Sequence, residues 1–228
     1  VAGFSILLKP NGVATFEFPH LLKLVNENQF DTIYHEHFSY LSLTALETIF
    51  KENGLQIFDV EEHTTHGGSL RLFAQRSDTG VQIVSEQVIK LRKREMDAGM
   101  NSDNFYKNFQ EKANIVKDDL LNFLIKAKQD GKKVVAYGAA AKGNTLLNYA
   151  GIRPDLLSYV VDKSPSKQGK YMPGSRIPIH TEQFLKNDKP DYVLILPWNL
   201  KNEVIKQLSY IQVNGGNFVV AVPKLEII

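Results

Sequence analysis

The segment between Phe30 and Tyr40, here called the histidine loop, carries the side chains best suited to chemistry. It reads Phe30-Asp31-Thr32-Ile33-Tyr34-His35-Glu36-His37-Phe38-Ser39-Tyr40. Histidine is suited to proton transfer near neutral pH, and a neighbouring carboxylate can orient its imidazole or raise its pKa. Catalytic groups collect on loops that a rigid scaffold positions. The density of Tyr, His and Glu in this loop therefore favours acid–base chemistry.

Two other interpretations of the histidine loop stay open. The first is a polar loop whose imidazoles hydrogen-bond to the backbone. The second is a metal site, because His35 and His37 stand two positions apart and would share one face of an extended segment. A third ligand would then have to come from elsewhere in the chain. We rank the metal site behind both acid–base chemistry and the purely structural loop.

A second segment with chemical potential is His66-Gly67-Gly68-Ser69-Leu70-Arg71. Its two glycines permit a positive φ or the close approach of another group to the backbone. A hairpin turn alone explains the glycines. The flanking His66 and Arg71 leave room for a contact with substrate.

A third segment follows a predicted strand and opens a predicted helix: Tyr137-Gly138-Ala139-Ala140-Ala141-Lys142-Gly143-Asn144-Thr145. Residues 138, 140 and 143 occupy a G-x-G-x-x-G template, and Asp162 follows at roughly the 20-residue offset of that motif. A helix N-terminus offers amides to a phosphate, and Lys142 adds a positive charge. Because Ala140 would hinder the approach of a pyrophosphate, an NAD-linked oxidoreductase is disfavoured. A turn without a ligand remains the alternative.

Composition restricts the class of protein. The 228 residues are 43% hydrophobic, enough for one or two domains with buried cores. The net charge of +2 is spread along the chain, which excludes the clustered basic residues of a nucleic-acid interface, and no apolar run could span a membrane. The absence of Cys excludes disulfides and thiolate chemistry and is consistent with a cytoplasmic protein. Because the chain starts at Val1 without a signal pattern, we expect it to derive from a longer protein.

The pattern of hydrophobic residues predicts three regions. Residues 1–79 contain a strand at 13–18, helices at 20–28 and 43–53, and an antiparallel hairpin at 55–61 and 69–75. Residues 80–130 contain two charged amphipathic helices that link the flanking regions, the second capped by Ser102 and ended by Gly131. In residues 131–228, strands at 134–137, 158–161, 192–196 and 217–222 alternate with helices, which predicts a mostly parallel sheet.

Several of these segments together resemble the sugar C-methyltransferases of deoxysugar biosynthesis, over nearly the whole chain. The segments are 31–40, 65–71, 136–144, Val161-Asp162-Lys163-Ser164-Pro165, Lys167-Gln168-Gly169, Pro173-Gly174 and Leu196-Pro197-Trp198-Asn199. The resemblance implies an α/β fold: the last strands of a class I methyltransferase core, a helical linker, and a C-terminal Rossmann-like domain that binds a nucleotide sugar. Enzymes of this family transfer a methyl group from S-adenosylmethionine to a ring carbon next to a ketone of a nucleoside-diphosphate deoxysugar.

The resemblance also assigns roles to residues. Tyr34, Glu36 and His37 match the catalytic residues of the family, with His37 as the base. Predicted substrate-binding residues are His66, Arg71, Gly138, Lys142, Gly143, Asn144, Asp162 and Trp198. The family's Gly-rich methyl-donor motif and its N-terminal part, where zinc would bind, have no counterpart in this sequence. We therefore expect the isolated chain to bind the methyl donor poorly.

The main alternative is a nucleotide-sugar-binding module without catalysis, formed by residues 131–228 alone. The histidine loop distinguishes the two hypotheses, because a pure binding module does not need it.

Overall fold

The computed structural model describes all of residues 1–228, which form two compact units. The first unit consists of residues 1–27 and 38–109, and the second of residues 28–37 and 110–228. The larger part of the histidine loop, up to His37, therefore belongs to the second unit together with residues 28 and 29, although residues 1–27 and 38–109 belong to the first.

A three-stranded antiparallel sheet forms the centre of the first unit. Its elements are α1 (Ala2–Leu7), β1 (Val13–Pro19), α2 (Leu21–Asn26), α3 (Leu43–Glu52), β2 (Leu55–His63) and β3 (Ser69–Arg76). The strand order is β1-β3-β2, which confirms the predicted hairpin of β2 and β3. The buried residues Leu70, Leu72 and Ala74 alternate along β3 as predicted. Alternation in β2 is less regular because a β-bulge shifts the register between Ile57 and Asp59.

A buried carboxylate joins helix α4 (Glu86–Asp97) to the start of α3 in the first unit. Glu95 accepts hydrogen bonds from the backbone amides of Leu43 and Thr44, each at 2.8 Å. It also lies 2.8 Å from Nε2 of the buried His20. These contacts satisfy amides of the first turn of α3 that have no partner within the helix, so Glu95 acts as a cap supplied from a distant element.

The prediction that Ser102 caps the long helix is wrong. Its hydroxyl group donates to the carbonyl oxygen of Gly99 at 3.0 Å, and a short 3₁₀ turn follows at Asp103–Phe105. The long helix, α5, spans Phe109–Gln129. It ends before Gly131, where φ is +68°, as the sequence predicts.

The second unit is an α/β structure with a six-stranded sheet in the order β6-β5-β4-β7-β8-β9. After α5 its elements are β4 (Val134–Tyr137), α6 (Ala141–Tyr149), β5 (Val160–Val161), β6 (Ile179–His180), α7 (Glu182–Asp188), β7 (Tyr192–Ile195), α8 (Lys201–Gln207), α9 (Tyr210–Val213), β8 (Asn217–Val220) and β9 (Glu226–Ile227). Only β9 is antiparallel to its neighbour, so the predicted mostly parallel sheet is confirmed. The two-residue strands β6 and β9 were not predicted, because so short a run shows no periodicity.

The strand order places a crevice at the carboxyl end of β4. From β4 the chain passes to β5 and β6 on one side, and then returns to β7 on the other side of β4. In open parallel sheets, ligands bind where the strand order reverses in this way. No helix of the chain has the length and apolar character needed to cross a membrane.

Candidate functional site

The turn between β4 and α6 needs its two outer glycines for different reasons. Gly138 has φ of +92°, and a Cβ atom there would lie 2.5 Å from Cδ of Pro197. At Gly143 a Cβ atom would lie 2.7 Å from Cβ of Leu196, so this glycine lets α6 pack closely on the segment that follows β7. Ala140, at the middle position of the template, is the N-cap residue of α6 and has an ordinary φ of −95°. Both glycines thus shape the turn itself.

Asp162, at the end of β5, holds the walls of the crevice together. Its carboxylate accepts from the backbone amides of Ala139 and Ser164, each at 2.8 Å, and from Nζ of Lys167 at 3.2 Å. Both carboxylate oxygens are therefore bonded to protein donors. These bonds position the loops after β4 and β5, and the contact of Asp162 with the substrate stays a prediction.

A cavity of about 370 Å³ opens beside this turn, within the range of roughly 300–1,000 Å³ that small-molecule sites occupy. One wall consists of residues 139–141 and Asn144, and the other of residues 166, 167, 170–173 and 179, with His35 also at the lining. Asn144 is the predicted substrate residue that lines it. A larger opening of about 450 Å³ lies in the first unit, where it contains Glu61 and Glu62 and no predicted site residue.

The cavity is suited to an anion. The amide of Asn144 already donates to the carbonyl of Ala140, so the donors that α6 offers are the amides of residues 141–143. Lys167 and Lys170 stand opposite: Lys167 is paired with Asp162, whereas Lys170 makes no ion pair. Sequence reasoning missed both lysines as binding residues. They lie in a segment without periodicity, between β5 and β6, and only the resemblance of 167–169 pointed to it.

The histidine loop fixes the tautomer of His37. Nδ1 of His37 lies 2.8 Å from the carbonyl oxygen of Thr32, in the 3₁₀ turn Phe30–Thr32. A carbonyl oxygen can only accept, so Nδ1 must carry the proton and Nε2 is unprotonated in the neutral ring. The ring of Tyr34 lies 4.3 Å from the His37 ring, centroid to centroid. Glu36 is exposed one position before His37. The three predicted catalytic residues thus lie on one short segment, with the imidazole oriented as a base.

A buried carboxyl group stands at the start of the same loop. Asp31 has no exposed surface, and its Oδ2 accepts a hydrogen bond from Nε1 of Trp198 at 2.7 Å. Burial raises the pKa of Asp31 to about 6, against the opposing effects of the Trp198 hydrogen bond and the Lys142 charge. Nζ of Lys142 donates to Oδ1 of Asn199 at 2.6 Å and lies 4.4 Å from the centre of the Trp198 ring. Trp198 and Lys142, predicted as substrate contacts, are therefore engaged with the loop and its surroundings.

The remaining predicted substrate residues, His66 and Arg71, lie in the first unit. His66 is exposed in the hairpin turn between β2 and β3, with a positive φ of 56°. The Arg71 guanidinium group lies 2.8 Å from a carboxylate oxygen of Glu17 and 3.3 Å from one of Glu61. The Ser69 hydroxyl and Arg71 together hold the pKa of Glu17 at about 2. Arg71 is thus part of a carboxylate cluster on the sheet.

The residues present restrict two further kinds of site, a metal site and a methyl-donor site. No three His, Asp or Glu side chains are grouped as a metal site requires, so His35 and His37 find no third ligand. In the first unit, β1 passes into α2 without a glycine, and β2 leads directly into a hairpin. Residues 1–109 therefore provide no Gly-rich strand–turn–helix for a methyl donor.

Fold and site together define an α/β unit with a mostly parallel sheet, a cavity beside the turn after β4, and the histidine loop, whose His35 reaches the cavity lining. The chain belongs to the family of the C-methyltransferase C-terminal domain, whose model matches residues 64–223. It is 37% identical over 226 residues to the C-methyltransferase NovU of Streptomyces niveus. That alignment covers 99% of the chain and 54% of NovU, so the chain spans about half the length of this relative. The predicted membership in the C-methyltransferase family is confirmed.

Proposed function

We propose that this chain is the C-terminal part of an enzyme that transfers a methyl group from S-adenosylmethionine to a ring carbon next to a ketone of a nucleoside-diphosphate deoxysugar. The observation that carries the proposal is the hydrogen bond from His37 Nδ1 to the Thr32 carbonyl, which leaves Nε2 as the basic nitrogen. The matched family supports methyl transfer to carbon. The sugar, its nucleotide and the activity of the whole protein belong to the proposal.

The chemistry assigned to the histidine loop is removal of a proton. A hydrogen next to a ketone is acidic because the resulting enolate delocalises its charge onto oxygen. Nε2 of His37 takes this proton while the Thr32 carbonyl keeps Nδ1 protonated, and a positioned base of this kind contributes about 10²- to 10⁴-fold to the rate. Tyr34 and Glu36 orient the imidazole or hydrogen-bond to the substrate. We assign no donor site to the residues of this chain, because its first unit has no Gly-rich strand–turn–helix, and no step is assigned to the donor.

The diphosphate of the substrate is assigned to the 370 Å³ cavity. The amides of residues 141–143 at the start of α6 and the ammonium groups of Lys167 and Lys170 favour an anion there. Asn144 lines the same cavity. The contribution of Asp162 to substrate binding is mainly indirect, since it holds the cavity wall. Trp198 and Lys142 contribute mainly by holding the histidine loop. His66 and Arg71 of the first unit remain proposed contacts to the substrate.

The finer architecture is also a proposal. Residues 1–79 would be the end of a class I methyltransferase core, residues 80–130 a helical linker, and residues 131–228 a Rossmann-like nucleotide-sugar domain. The strand order of the first unit supports it, since β1 lies at the edge of the sheet and has a free side on which a further strand could pair. Any zinc site would belong to another part of the protein.

The test is transfer of a labelled methyl group from S-adenosylmethionine to a thymidine-diphosphate keto-deoxysugar by the full-length protein. We expect turnover with the wild type and less than 1% of it, on the order of the 10²-fold loss expected for a missing base, with His37→Ala. Binding of the nucleotide sugar without any methyl transfer in the full-length wild type would instead favour the non-catalytic binding module.

A further inference from the structure

Asp31, at the start of the histidine loop, carries a carboxyl group that the proposed reaction does not use. Asp31 is completely buried, yet its Oδ1 atom has no hydrogen-bond partner, while Oδ2 accepts from the Trp198 indole at 2.7 Å. An unpaired buried polar atom costs free energy that the fold must offset elsewhere. A purely structural position would be filled more favourably by an apolar side chain, so the acid at this place calls for a functional explanation.

The groups that face Asp31 come from three elements of the second unit. Its own 3₁₀ turn contributes its backbone amide, the turn after β7 contributes the Trp198 indole, and α6 contributes Lys142. Lys142 is the charged and titratable group among them. The electrostatic effect is mutual: burial lowers the pKa of Lys142, and the nearby Asp31 charge opposes this by raising it. The ring of Phe30 also packs on Tyr149 of α6, with 5.3 Å between centroids.

These contacts fasten the start of the loop to the elements that form the cavity. Asp31 is followed directly by Thr32, whose carbonyl oxygen accepts from His37. Thr32 is itself held by hydrogen bonds to Gln29 from its amide at 3.1 Å and its hydroxyl at 2.8 Å. The path from α6 to the basic imidazole thus runs through Lys142, Trp198, Asp31 and Thr32.

We infer that Asp31 is a positioning residue: its carboxyl group, held by the Trp198 indole and facing Lys142, fixes the histidine loop on the cavity elements and so places His37. The part of this inference that concerns catalysis rests on the proposed function. The part that concerns the contact of Asp31, Trp198 and Lys142 does not.

The chain contains a single tryptophan, so all of its tryptophan fluorescence comes from Trp198, whose indole donates to Asp31. In residues 1–228, a pH titration should show a step with a midpoint near pH 6, as Asp31 ionises. Asp31→Asn should remove the step. Lys142→Met should move its midpoint to higher pH, since loss of the cation disfavours the carboxylate. The control Asp119→Asn, at an exposed carboxylate on α5, should leave it unchanged. A step that persists in Asp31→Asn, or that is absent from the wild type, overturns the inference.

The loop itself is followed by amide hydrogen exchange of residues 28–37 in Asp31→Leu, which removes the acceptor of the Trp198 indole, and in Asp119→Asn as the control. Asp31→Leu should accelerate exchange by about tenfold or more, because the indole N–H loses its partner. Equal exchange in the two variants would contradict a positioning role.

In the full-length protein, Asp31→Leu should lower kcat by about tenfold or more, for the same loss of the Trp198 hydrogen bond, and leave KM nearly unchanged. An unchanged kcat overturns the inference. If the wild type shows no turnover at all, the proposed function fails, and the fluorescence and hydrogen-exchange results still decide whether Asp31 holds the loop.

Discussion

His37 donates through Nδ1 to a backbone carbonyl only five positions away, and this local bond decides which nitrogen of the ring accepts a proton. Donor and acceptor lie on one short segment, so this bond is local. The spacing of Tyr34, Glu36 and His37 could be recognised from sequence. The bond to Thr32 could not, since its acceptor is a backbone carbonyl group, which every residue has.

At the same scale, Asp31 gives the stability of the chain a specific pH dependence. Its folded-state pKa of about 6 lies above the ordinary value of 3.8 for an aspartate, so the folded chain holds this proton more tightly than the unfolded chain. Stability from this group is present at low pH and is lost as the pH rises towards 6, by up to about 3 kcal/mol in total. Urea unfolding should therefore show that Asp31→Asn gains stability relative to the wild type as the pH is raised from 4 to 7. A constant difference over this range would contradict the raised pKa.

Lys170 provides a test of the anion site. Lys170→Ala should weaken binding of a thymidine diphosphate sugar by about 10- to 100-fold, since hydrogen bonds to charged groups contribute about 1.5–3 kcal/mol. Lys142→Ala should weaken it less, because Lys142 does not line the cavity. Lys163→Ala removes an exposed lysine of the same segment outside the cavity lining and serves as the control. Calorimetry on residues 1–228 measures all three, and equal affinities would refute the assignment of the cavity.

At the scale of elements, two glycines allow backbone strain to be distinguished from steric overlap: Gly138 in the turn between β4 and α6, and Gly131 after α5. Gly138 and Gly131 both have positive φ, but a Cβ atom meets Pro197 at the first position and open space at the second. Gly131→Ala should cost about 1 kcal/mol, and Gly138→Ala should cost an additional 1–3 kcal/mol, roughly the range for overpacking. Thermal unfolding of the two variants gives the comparison. Equal losses would mean that Pro197 can move aside.

Elements with clear periodicity were predicted well from sequence, among them β3, β4 and the end of α5. The errors have local causes. Ser102 bonds to a carbonyl three residues earlier and does not cap α5, and β6 and β9 are too short for a pattern. The contact between Asp31 and Trp198 joins positions 167 residues apart, so no spacing rule could reveal it. The cavity lysines were missed because they stand in irregular structure.

At the scale of the whole molecule, the cavity and the proposed base lie in the second unit, and the first unit has no Gly-rich turn for the methyl donor. Residues 1–228 should therefore bind the nucleotide sugar and show no measurable affinity for S-adenosylmethionine in calorimetry. Full-length NovU, which is about twice as long, serves as the positive control for donor binding. Tight binding of the donor by residues 1–228 would show that the donor site has been overlooked.

The central claim, that His37 removes the proton next to the ketone, is tested most directly by solvent exchange. The full-length protein is incubated with the nucleotide keto-sugar in deuterated water, and deuterium at the α carbon is followed by NMR. His37→Ala should lose exchange by about 10²-fold or more with nearly unchanged affinity for the substrate, whereas His35→Ala should retain exchange at saturating substrate. If His37→Ala kept exchange and His35→Ala lost it, the two roles would be reversed. If both variants kept exchange, His37 would not be the base.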